Sequence, residues 1–96
     1  FGYEYALAEI MSNFRAQGAA VMEAVATMEP TARGYEVIAA DLHKLAGSAG
    51  VLGAVPLTKE LTQIEMLIRT QQYPQLPDRF RALPGLWRAT VAYLED

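Results

Sequence analysis

The 96-residue chain contains one histidine, His43, and no cysteine. The segment around it, Glu36 to Ala54, reads EVIAADLHKLAGSAGVLGA. Ile38, Leu42, Leu45, Ala49 and Leu52 recur at steps of four and three, which makes one apolar stripe on a helix. At about 100° per residue, His43 lies well off that stripe, on the side facing away from a core. Its neighbours one turn away are Ala39, Ala40, Ala46 and Gly47, with Gly50 two turns on. None has a side chain larger than a methyl group. A glycine inside a helix costs about 1 kcal/mol relative to alanine. Gly47 sits on the histidine's side, so its position points to space kept open for something that must reach the imidazole. Gly50 serves that purpose or the close seating of a neighbouring helix equally well.

Several chemistries are poorly supplied. A catalytic zinc site uses about three protein ligands. One histidine and no cysteine leave only carboxylates, and none stands three or four residues after His43. Ser48 points about 140° away from His43 round the helix, which suits an inter-helix hydroxyl better than a catalytic triad. There is no nucleophile elbow, phosphate loop or dinucleotide fingerprint. A glycosidase pair of carboxylates needs a cleft, which a small helical domain does not evidently offer. What remains is histidine as a nucleophile. An ordinary imidazole titrates at about 6.5, so an exposed one is mostly neutral at physiological pH. Its ring nitrogen can then attack phosphorus and hold the phosphoryl group covalently. Such a site needs a rigid helix, an exposed nitrogen and a flat surround on which a second protein lands.

Composition narrows the partners. Net charge is -3 with no basic run, so the lysine/arginine patch that binds nucleic acid is missing. No apolar run approaches the roughly 20 residues of a membrane span, and there is no signal-peptide pattern. The absence of cysteine removes disulfides and thiolate metal sites. A cytoplasmic location is expected. The chain starts at Phe1 without methionine and is read as one domain, residues 1–96, excerpted from a longer protein.

The elements that position His43 follow from periodicity. Leu7, Ile10, Phe14, Gly18, Val21, Val25 and Met28 hold one helical phase, predicting a long first helix that ends at Pro30. Thr31 is a candidate N-cap for the His43 helix, and Gly53 a candidate stop. A third helix starts near Pro56, with Leu57, Leu61, Ile64 and Ile68 inward. Lys59, Glu60, Gln63, Glu65 and Arg69 form its expected solvated face. After a loop from Gln71 to Pro77, Phe80, Leu83, Trp87, Val91 and Leu94 keep one phase across Pro84, predicting a single kinked helix from about Asp78. Trp87 is expected in the core. The fold class is all-α, an antiparallel up-and-down four-helix bundle.

On these residues the chain resembles the histidine-containing phosphotransfer (HPt) domain family. His43, Leu45, Gly47, Ser48, Ala49, Leu52, Gly53 and Ala54 fit the family's pattern, and Leu57 to Glu65 looks like its next helix. The resemblance implies a phosphoryl carrier without independent turnover. His43 would accept the group from a receiver-domain aspartate and pass it to another receiver. It implies no cofactor on this chain, since the receiver supplies magnesium. It also implies response-regulator receiver domains as partners, and in some members a histidine kinase. Docking is expected to centre on His43, with Glu36, Ala39, Ala40, Lys44, Ala46, Gly47 and Gly50 around it. One departure stands out. The family usually places a lysine three residues after the histidine, and here that residue is Ala46. Lys44 is the first candidate to compensate and Lys59 the second. Two rival readings remain: an adaptor that docks receivers without carrying phosphate, and a module phosphorylated directly by a kinase catalytic domain, as in a hybrid histidine kinase.

Overall fold

The computed structural model describes the backbone of residues 2–95 and the side chains of residues 6–95. Its helices are α1 (Gly2–Thr27), α2 (Ala32–Val51), α3 (Val55–Arg69) and α4 (Leu76–Glu95), with a single 3-10 turn at Tyr73–Gln75 leading into α4. Each packs on the next, and α4 returns to α1. The antiparallel sense is visible in the cross-links. Ser48, late in α2, donates from Oγ to Gln17 Oε1 of α1 at 2.8 Å. Arg15 of α1 pairs with Glu95 at the end of α4. Tyr35, early in α2, packs on Tyr73 and on Phe80 of early α4, with ring centroids 5.2 and 6.0 Å away. The result is the expected up-and-down bundle.

Local chemistry sets the boundaries. Thr31 has extended backbone, and its hydroxyl accepts from the Gly34 N–H at 3.1 Å, capping α2. Gly53 takes φ +75°, and the Ala54 N–H then donates to Ala49 O at 2.9 Å, closing α2 with a left-handed cap. Pro56 lies in the first turn of α3, where its missing N–H costs nothing. The chain after α3 is more ordered than the loop expected from Gln71 to Pro77. Gln71 adopts φ 59° and Gln72 N–H reaches back to Leu67 O at 2.8 Å, so α3 ends with the same kind of cap on a non-glycine residue. α4 begins at Leu76 rather than near Asp78, since Pro77 is tolerated in a first turn. It then continues through Pro84 as one helix.

Leu42, Leu45, Leu57, Leu61, Ile64, Leu67, Leu76 and Leu83 are the largest fully buried side chains. They are the inward stripes of α2, α3 and α4. The α1 stripe is only half used. Phe14, Gly18 and Val21 are buried, but Leu7 and Ile10 are 42% and 43% exposed. α1 has 26 residues against 20 in α2 and in α4. At 1.5 Å per residue it is about 9 Å longer than they are, so its first turns outrun the helices that would cover them.

Gly18 of α1 lets the Trp87 ring of α4 sit directly against its backbone. An ideal Cβ on Gly18 would sit 1.9 Å from Trp87 Cη2. Trp87 also packs against Phe14, with centroids 5.0 Å apart, and is core as expected. Gly18→Ala should therefore destabilise the domain by about 1–3 kcal/mol, despite alanine's better helix propensity. Denaturant unfolding measures this, and an unchanged or raised midpoint would contradict the packing described.

Candidate functional site

α2 and α3 pack through small residues. Ala39, Ala46 and Ala49 are 4%, 8% and 0% exposed. This corrects part of the surface expected from sequence: Ala39 and Ala46 belong to the buried helix seam, not to the open patch round His43. The physical reason is angular. Both lie between the α2 apolar stripe and His43, and α3 covers that interval. Glu36, Ala40, Lys44, Gly47 and Gly50 remain exposed, with Val37 and Val51 on the same flank of α2.

The two expected roles for the glycines now separate. A Cβ on Gly47 would meet nothing within 4 Å, so no helix needs that space. A Cβ on Gly50 would come only as near as 3.9 Å to Thr58, an ordinary contact. Neither is required for packing.

His43 side-chain exposure is 72%. Its Nδ1 lies 3.0 Å from Glu65 Oε1 of α3. An ionised carboxylate only accepts, so Nδ1 carries the proton and donates it. The neutral ring then keeps its lone pair on Nε2, which has no protein partner among the described residues. Glu65 Oε2 in turn accepts from Arg69 Nε at 2.7 Å. The three side chains form a chain, Arg69 to Glu65 to His43, with Glu65 only 13% exposed at its centre.

Glu65 was expected on the solvated face of α3, and its contact with His43 is not apparent from sequence. The two are 22 residues apart on different helices, and the register between two helices is not written in either one. A signal was present: Glu65 lies only about 40° round α3 from Leu61 and about 60° from Ile68, at the edge of the buried stripe. Glu60 is likewise engaged, accepting from Arg79 Nη1 at 2.9 Å. Lys59 is exposed, about 9 Å along α3 and about 120° round it from Glu65, so it does not stand beside the imidazole. Ser48 is the inter-helix hydroxyl expected. Among the described residues no three His, Cys, Asp or Glu side chains converge as metal ligands, and no helix is long and apolar enough to cross a membrane.

Burial alone would raise the Glu65 pKa, but hydrogen bonds from Arg69 and His43, with the positive charge of Arg69 and the charge an imidazole carries in the acid range where a carboxyl titrates, outweigh it and hold the carboxyl below its ordinary value of 4.5. A depressed pKa means the folded state binds this proton more weakly than the unfolded state does. Its contribution to stability is complete above the ordinary value and is lost as pH falls through the lower folded value. The stability gap between wild type and Glu65→Gln should therefore shrink as pH falls through and below the ordinary carboxylate range. Urea unfolding at a series of pH values measures it, and a gap unchanged across that range would contradict the pairing.

No curated protein and no solved structure gives a significant match to the chain. The sequence profile of the family described as "Hpt domain" matches residues 7–96. Domains of this family are phosphocarrier modules of two-component phosphorelays, not enzymes in themselves, and they interact with response-regulator receivers and kinases. With the profile spanning nearly the whole chain, and the chain folding as a four-helix bundle, the protein belongs to the Hpt domain family.

Proposed function

We propose that His43 is the phosphoryl carrier, and that it exchanges the group with aspartates of response-regulator receiver domains through Nε2. The observation that carries this reading is the ring's geometry: an imidazole 72% exposed, with Nδ1 tied to Glu65 and Nε2 left free. In the step proposed, the Nε2 lone pair attacks the phosphorus of a receiver aspartyl phosphate. The P–N bond forms as the P–O bond to the aspartate breaks, and the aspartate leaves as a carboxylate. The Nδ1 proton stays on the ring, which becomes a phosphoimidazolium cation. Glu65 faces that developing positive charge and stabilises it. Passing the group to a second receiver reverses each of these changes, and the cationic ring is the better leaving group.

The reading assigns no metal to this chain. The receiver brings magnesium, which with its own residues supplies most of the charge stabilisation that phosphoryl transfer requires. The contact surface centres on His43 with Glu36, Ala40, Lys44, Gly47 and Gly50; the buried Ala39 and Ala46 support it from beneath. Lys44 projects about 100° round α2 from His43 and is the nearest lysine on that face. Its role is to meet a receiver's acidic pocket.

The test is phosphoryl transfer from receivers of the same organism, pre-phosphorylated with a small phosphodonor and magnesium. Acid-labile, alkali-stable label on the wild type, abolished in His43→Gln, is expected. Gly47→Ala should raise stability by about 0.5–1 kcal/mol, since its methyl meets no protein atom, yet slow the transfer by crowding the landing surface. Receiver binding without label would favour the phosphate-free adaptor, for which the alanine at position 46 is the specific support. Label only from ATP and a kinase catalytic domain would favour direct phosphorylation.

A further inference from the structure

Arg69 borders the landing surface just described, beside Glu36, but is not assigned to it. It occupies the last turn of α3, where a cation is favourable for the helix dipole and pairs at i,i+4 with Glu65. An ordinary surface pair would explain it if Glu65 were an ordinary surface carboxylate. Glu65 is instead 13% exposed and has divided its two oxygens, one for the His43 Nδ1–H and one for Arg69 Nε. A carboxylate held by one bond to a histidine can rotate or swing to water. Two bonds from different helices fix its plane, and with it the oxygen that faces Nδ1.

We propose that Arg69 is a positioning residue for phosphoryl transfer, holding Glu65 in the one orientation that keeps the proton of His43 on Nδ1 and the lone pair on Nε2. The proposal rests on the phosphocarrier reading of His43. Arg69 also matters through charge. Arg69 on the far oxygen offsets part of the Glu65 charge, so the hydrogen bond selects the tautomer with less negative charge beside a ring that must stay neutral to attack, while the near oxygen still faces the cation that forms. The other charged groups facing this cluster come from α2. Glu36 lines, with Ala39, Ile68, Arg69 and Gln71, a shallow depression of about 300 Å³ next to the site, and Lys44 stands on the other flank of His43. Glu36 is therefore the carboxylate to which a misdirected Arg69 would turn.

The experiment reads the His43 ring by long-range ¹H–¹⁵N correlation in the labelled domain, at alkaline pH where the imidazole is neutral. The wild type is expected to hold mainly the Nδ1–H tautomer. Arg69→Gln should shift the tautomer ratio by about twofold, the size an i,i+4 pair supports. Transfer from a phosphorylated receiver should slow to match, with receiver affinity unchanged. Arg69→Lys, whose ammonium still reaches Glu65 from one turn away, should recover most of both. An Arg69→Gln ratio equal to wild type overturns the proposal. So does slowed transfer with an unchanged ratio, which would place Arg69 at the receiver instead. Failure of the carrier reading itself would look different: no label on the wild type, while the tautomer ratio still reports on Arg69.

Discussion

The close seam between α2 and α3 is the constraint on which the site depends. It is the most extensive helix pairing in the bundle, and its α2 side is built from Ala39, Ala46 and Ala49. Interaxial distance is set by the side chains at the contact, so methyl groups there bring the helices together. That approach is what lets a glutamate on α3 reach the imidazole on α2 at 3.0 Å. A larger residue at 39 would push α3 away and loosen the contact between His43 and Glu65.

The alanine at 46, where the family resemblance leads one to expect lysine, lies at this seam. This position is 8% exposed and packs under α3. On α3, Arg69 is engaged in its pair with Glu65, and the lysine on the proposed landing surface is Lys44. The division of labour is then clear. α2 presents the nitrogen proposed to take the phosphoryl group, and α3 holds the ring's other nitrogen. α1 and α4 supply the core through Phe14, Gly18, Val21, Phe80, Leu83 and Trp87.

Most of the fold was legible in the sequence because it rests on short-range rules. Apolar phase located all four helices, Thr31 and Gly53 marked the ends of α2, and the phase kept across Pro84 identified one helix rather than two. The failures share one cause. Leu7 and Ile10 continue the α1 stripe yet are exposed, because coverage depends on how long the neighbouring helices are. Ala39 and Ala46 read as open surface, and Glu65 as a solvated residue, because which flank of α2 meets which flank of α3 is a tertiary fact. His43 and Gly47 were legible as a candidate site because an unobstructed nitrogen needs only one helix to present it. Its orienting partners were not, because they stand on another.

The central claim is that Nδ1 keeps its proton on Glu65 and Nε2 takes the phosphoryl group. Its most direct test is ³¹P–¹⁵N NMR of the phosphorylated, ¹⁵N-labelled domain, which identifies the ring nitrogen bonded to phosphorus. The account predicts coupling to Nε2, with Nδ1 protonated. Coupling to Nδ1, or a phosphorylated residue other than His43, would contradict it.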